Sequence, residues 1–159
     1  MARNPSTLRA QRLALALPAL LLAGAYVSQY GFGLFPCEMC WWQRWPHFAA
    51  VLLALMSFVI VPQRRLLVAL AAGGILTSGL IGVFHAGVEY GWWEGITACA
   101  VTGAPAGGDP LEAILAQPTV SCSQPAWTFA GISLAGFNAL FSIGGAIAIF
   151  ALLTQKDRK

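Results

Sequence analysis

The chain has 159 residues, 58% of them hydrophobic and only 9% charged, with a formal net charge of +3. Soluble domains run at roughly 45–50% apolar and 25% charged, so a lipid-solvated chain is expected and an ordinary soluble domain is excluded. No nucleic-acid partner is expected.

Four apolar stretches follow in order, at about 13–35, 45–61, 66–88 and 127–153. Each approaches the ~20 residues that a helix needs to cross a bilayer, the second being the shortest. Only helices and closed barrels satisfy their backbones in lipid, and these runs lack the alternation of barrel strands. The expected fold class is therefore an all-α membrane protein, a single domain over 1–159 built as a four-transmembrane-helix bundle. Before the first span stand Arg3, Arg9 and Arg12, and the apolar run ends near Ala23-Gly24-Ala25 if read as a cleavable signal peptide. Apolar character continues to Phe35, however, which favours a retained span.

Eight of the nine basic residues fall on one face: those three, Arg64 and Arg65 between spans two and three, and Lys156, Arg158 and Lys159 after span four. Arg44 alone lies opposite. The positive-inside rule makes the basic face cytoplasmic. This places both termini in the cytoplasm and the loops at about 36–44 and 89–126 outside, which is the periplasm of a bacterial inner membrane. Trp41, Trp42, Trp45, Trp92, Trp93 and Trp127 gather near the outer boundary, as an aromatic belt does.

Small residues in span three (Gly73, Gly74, Ser78, Gly79, Gly82) and span four (Gly131, Gly136, Gly144, Gly145) permit close helix contact. Asn138 needs a partner at that depth, and an interhelical hydrogen bond is the expected one. Within the second loop, Asp109-Pro110-Leu111-Glu112 reads as a helix start, with Leu111, Ile114 and Leu115 on one face before Pro118. A short amphipathic helix on the membrane surface is expected there.

All four cysteines lie on the outer, oxidising face. Cys37-x-x-Cys40 has the spacing of a dithiol–disulfide redox pair, and a nearby positive charge favours the thiolate that exchanges. Arg44 supplies that charge four residues on, sharing a helical face with Cys40 if the second helix already includes it. Pro46 argues for a later helix start, since proline fits best in a first turn. Cys99 and Cys122, with 22 residues between them, read either as a plain loop staple or as an exchangeable disulfide. A four-cysteine zinc site is disfavoured, because only one half has close ligand spacing, so no metal is expected. His85, near the outer end of span three, is either an interfacial histidine or a donor to a ring carbonyl beside Arg44.

These residues resemble the disulfide bond formation protein B (DsbB) family over nearly the whole chain. The resemblance rests on the four spans, Pro36-Cys37-x-x-Cys40 with Arg44, Phe84-His85-x-Gly87-Val88-Glu89, Cys99 and Cys122, and the opening of span four from Trp127 to Asn138. It implies a disulfide oxidoreductase that reoxidises a periplasmic thioredoxin-fold, DsbA-like dithiol oxidase and passes the electrons to membrane quinone, ubiquinone or menaquinone. The system is the one through which a bacterial periplasm is kept oxidising. It further implies that Cys99 takes the partner's attack with Cys122 as its loop mate. Cys37, the more exposed of its pair, would then exchange with these loop cysteines. Cys40 faces the quinone with Arg44 binding the ring, and His85 is a second cofactor-binding candidate. Resting disulfide connectivity stays open among three possibilities. The rivals are a vitamin K epoxide reductase-like enzyme, whose CxxC lies near the last span, an outward thiol transporter, which needs cytoplasmic cysteines, and a scaffold with structural disulfides.

Overall fold

The computed structural model describes residues 5–97, 100–101 and 119–155. Four long helices dominate it: α1 (Pro5–Gly31), α2 (Glu38–Val59), α3 (Arg64–Glu89) and α4 (Leu134–Thr154), with a 3₁₀ turn over Val61–Gln63. Two-stranded antiparallel ladders pair β1 (Ala100–Val101) with β2 (Thr119–Val120), and β3 (Thr128–Phe129) with β4 (Ile132–Ser133). The expected surface helix after Asp109, with Leu111 and Ile114, lies outside the described residues.

The helices form a ring in which α3 packs on α2 and α4, and α1 closes the far side against the same two. Small side chains let them approach. Ala10, Ala14, Ala50, Ala54, Ala71, Ala72 and Ala146 are all fully buried at the end nearest the chain termini. Between α3 and α4, a Cβ on Gly79 would stand 2.8 Å from Ile143, and one on Gly82 would stand 3.0 Å from the Ala135 carbonyl. Glycine is what allows this crossing. The large apolar side chains turn outward instead, Leu20, Leu52, Leu66, Leu140 and Ile147 among them. A bundle with small residues inside and large ones outside suits lipid as solvent.

Among the described residues, three stretches are long and apolar enough to cross a membrane: Pro5–Gly31, Val61–Glu89 and Leu134–Thr154. Helix α2 has a comparable 22 residues but carries Glu38, Gln43, Arg44 and His47 in its first half.

The elements differ from expectation at the start of two spans. Helix α2 starts at Glu38, so the expected first outer loop is mostly helix. Cys37 caps it by accepting the Cys40 N–H through sulfur, and Glu38 sits favourably in the first turn. Pro46 is accommodated inside the helix. Ser78 on α3 donates to the nearby Gln43 carbonyl at 2.8 Å and ties the two helices together at this level. The expected fourth span begins not at Trp127 but at Leu134. Ala130 and Gly131 both take positive φ, 50° and 79°, and turn the preceding residues into the β3–β4 hairpin. Ser133 then caps α4 by accepting the Gly136 N–H.

Candidate functional site

The start of α2 places Cys37 and Cys40 one turn apart, with their sulfurs 3.0 Å from each other. Cys37 is 3% exposed and Cys40 half-buried, which reverses the expectation that Cys37 is the open member of the pair. The cause is the cap itself, which folds the Cys37 side chain back over the helix start against Met39, Val88 and Cys122. Cys122 is likewise buried there, its thiol close enough to Cys37 to interact with it. Cys99 lies outside the described residues.

The apolar part of α2 begins near Trp45, so both thiols of the pair precede it. Hydrogen bonding to Cys40, with burial, pushes the Cys37 thiol up to about 12. This outweighs the pull towards thiolate from the cap N–H and from His85. The same bond received from Cys37 lowers Cys40, against its own burial. The bond thus biases the pair towards charge on Cys40, with Cys37 as the hydrogen-bond donor. Burial raises Cys122.

His85, 2% exposed on α3, approaches Cys37 from the membrane side, with Nε2 3.4 Å from the sulfur and 3.6 Å from a Glu89 oxygen. Its tautomer is fixed by Gln43. That amide donates to the Met39 carbonyl at 3.1 Å, which can only accept, so its nitrogen also faces His85 Nδ1 at 2.8 Å. Nδ1 therefore accepts, and the ring proton sits on Nε2, facing Cys37. The other end of the Gln43 amide accepts from Asn138 Nδ2 at 2.8 Å. Asn138 thus has an interhelical partner of the expected kind, and it reaches both α2 and α3.

Arg44 follows Cys40 by one turn, is 6% exposed, and turns towards α1. It donates to Gln29 Oε1 at 2.7 Å and lies 4.9 Å from both the Tyr26 and Trp41 ring centres. A guanidinium held between two aromatic faces is costly to displace. Beside these groups a cavity of about 260 Å³ opens between α1, α2 and α4. Leu20, Leu21, Phe35, Phe137 and Phe141 form its apolar walls, while Cys40, Arg44, His47, His85 and Glu89 supply polar edges. Apolar walls with a few placed polar groups suit a flat, mostly apolar ring. For a metal, Cys37, Cys40 and His85 offer donor atoms within 4.8 Å of one another, one ligand short of a closed zinc site among the described residues.

The structure therefore gathers Cys37, Cys40, Cys122, Arg44 and His85 at one end of the bundle. It also brings in Gln43, Glu89 and His47, which sequence reading passed over as site residues. His47 was legible in principle, because Cys40, Arg44 and His47 at i, i+4 and i+7 share one helical face.

A CxxC dithiol seated at the mouth of a cavity in a bundle of membrane-type helices defines the class of membrane thiol–disulfide oxidoreductases. The chain belongs to the DsbB family, matching the family model described as disulfide bond formation protein DsbB over residues 8–152. It is 29% identical over 154 residues to disulfide bond formation protein B of Marinobacter nauticus, covering 85% of each chain. It is also 26% identical over 133 residues to an uncharacterized protein of Rickettsia prowazekii, covering 81% of this chain and 77% of that one. No solved structure matches. Family membership gives the chain a part in disulfide bond formation as a thiol oxidase of the membrane.

Proposed function

We propose that this protein is a single four-span unit of the bacterial inner membrane that oxidises a periplasmic thioredoxin-fold dithiol protein and passes the electrons to a quinone. The observation that carries the reading is Cys40, a half-buried thiol of lowered pKa that lines an apolar cavity beside Arg44. Eight basic residues on the opposite face support a crossing by α2 as well, with both termini cytoplasmic.

Exchange begins at Cys99, where the partner's thiolate attacks a Cys99–Cys122 disulfide. Cys122, packed against Cys37, stands where it can attack a Cys37–Cys40 disulfide in turn. The partner's second thiolate then attacks the mixed disulfide and leaves oxidised, and the freed Cys99 thiolate attacks Cys122 in the Cys122–Cys37 bond. The products are oxidised partner, a restored Cys99–Cys122 disulfide and a Cys37–Cys40 dithiol. A quinone, held between the apolar walls beside Arg44, would supply the acceptor for two electrons and two protons. Within the protein, Cys40 gives up the electron pair, Cys37 closes on it as its S–H proton is lost, and the disulfide is restored. Arg44 holds a ring oxygen, and the His85 Nε2–H offers a hydrogen bond to whichever sulfur carries charge.

The test follows quinone absorbance in purified protein with a reduced thioredoxin-like substrate. Wild type should reduce quinone, and Cys40→Ser should lose the activity completely while its loop cysteines still trap the partner. A well-folded wild type inert towards every quinone overturns the reading and leaves a scaffold with structural disulfides.

A further inference from the structure

Cys122 reaches Cys37 from a loop, and the first described residues of that loop show what brings it there. Helix α3 ends in a Schellman stop, with Trp92 N–H donating to the Gly87 carbonyl at 2.8 Å and Gly91 N–H to the Val88 carbonyl at 3.1 Å. Such a stop needs a left-handed residue, and Gly91 takes φ 71° at no steric cost. The chain is thereby turned back over the last turns of α3. Trp93 falls across Gly87, where a Cβ would run into the indole ring. The ring stacks on Phe84, with centres 5.8 Å apart and planes 16° from parallel. Its Nε1–H donates to the Phe84 carbonyl at 2.8 Å.

Two residues on, Gly95 passes close to the dithiol cluster, since a Cβ there would stand 3.0 Å from the Val88 side chain and 3.7 Å from that of Met39. Further along, Ala100 and Val101 pair with Val120 and Thr119. Cys122, two residues past that ladder, is buried with Cys37, Met39 and Val88, and Phe84 and Val120 pack on the same cluster. The indole thus fixes the near end of the loop on the residue against which the far end delivers Cys122. Trp92 beside it is 68% exposed, against 41% for Trp93. An aromatic belt accounts for two tryptophans at a membrane boundary. It does not account for one that turns its N–H inward onto a carbonyl of α3, over a glycine that leaves room for it.

We propose that Trp93 is a positioning residue for internal thiol exchange: seated on Phe84 and Gly87, it keeps the second loop folded over α3 so that the Cys122 sulfur stays at Cys37. This rests on the relay proposed above, in which the Cys122 thiolate attacks Cys37 and Cys40 leaves with the electron pair of the broken bond. Trp93 acts through the loop rather than on the sulfurs. Its contribution is to concentrate one thiol at the other, which is how a fixed geometry speeds a step between two groups on separate segments.

The test reads that concentration directly. Full-length protein carrying Cys40→Ser and Cys99→Ser keeps only Cys37 and Cys122, and titration in glutathione redox buffer gives the effective concentration at which the two pair. A freely flexible loop gives roughly millimolar values, and the seated loop of this parent protein should exceed them at least about tenfold. Adding Trp93→Ala should lower the value about tenfold, the size of one hydrogen bond and one stacked pair. Trp93→Phe keeps the stack and loses the N–H, so it should fall between the two, while Trp92→Ala stays near the parent. A purely structural Trp93 would lower the unfolding midpoint in Trp93→Ala and leave the pairing unchanged, which overturns the assignment. Equal falls in Trp92→Ala and Trp93→Ala mark both as membrane anchors and overturn it too. Should Trp93→Ala fail to fold, the parent still decides, because a value at the flexible-loop level overturns the assignment. A wild type unable to reduce quinone overturns the functional reading itself, a result separate from the pairing of these two thiols.

Discussion

The two ends of the bundle are held together by different means. Towards the chain termini, buried alanines with Val68, Ile75, Ile149 and Leu153 form the core, and the Gln11 amide donates to Ser57 beside it. Towards the dithiol, the interior is a directed set of hydrogen bonds from Cys37 through His85, Gln43 and Asn138 to His47, Ser78 and Ser142. The alanine end needs only shape, and small residues provide it. The dithiol end must fix which atom carries a proton, and only oriented polar groups can do that. Polarity is therefore concentrated where chemistry occurs, and the bundle pays for it with close packing elsewhere.

Breaking the polar end should have the largest effect. Asn138→Leu removes the link between Gln43 and His47 and leaves buried groups unpaired. It should cost roughly 1–3 kcal/mol of stability and slow quinone reduction by about 10–100-fold as His85 loses its support. Unfolding in detergent and single-turnover quinone kinetics measure the two losses. A stability loss without a kinetic one would show that the network is only structural. Next comes packing. Gly79→Ala forces a methyl group against Ile143 and should cost about 1–3 kcal/mol, visible as a lowered unfolding midpoint, with the quinone KM little changed.

The third effect is one of reactivity with pH. Cys40 is lowered, so its thiolate is already present below the ordinary thiol range. Cys37, raised to about 12, stays a thiol through neutral pH and loses its proton only well above it. Alkylation of the reduced protein should therefore label Cys40 first, with an onset at lower pH than in Cys37→Ala, where the stabilising hydrogen bond is gone. Mass spectrometry of the labelled peptides reads this directly. The smallest effect belongs to the alanine end. Gln11→Leu leaves Ser57 bonded to the Ala54 carbonyl at 2.6 Å and should change stability by less than about 1 kcal/mol, with turnover unaltered. A large kinetic effect there would erase the contrast between the two ends.

The sequence made the third helix legible almost to the residue, because charge brackets its apolar run: Arg64 and Arg65 at one end, Glu89 at the other. The start of α2 was obscured by Pro46, which argues against a helix interior although the helix runs through it. The β3–β4 hairpin was hidden inside an apolar run, since an alanine at positive φ leaves no compositional trace. At the site, the cysteine spacing and Arg44 stood out as chemistry-bearing patterns. Gln43 and His47 did not, because their roles depend on what α3 and α4 bring opposite them, and that is a property of packing.

The Gln43 amide has one further consequence. It stands between the two histidines, and Asn138 stands beyond it. Amide groups orient neighbouring imidazoles, yet they do not take up and release protons near neutral pH as an imidazole does. The chain of hydrogen bonds is thus an insulator for protons while remaining a rigid frame for geometry. Protons lost by the thiols therefore find no imidazole-to-imidazole relay through this chain of side chains towards the alanine end of the bundle.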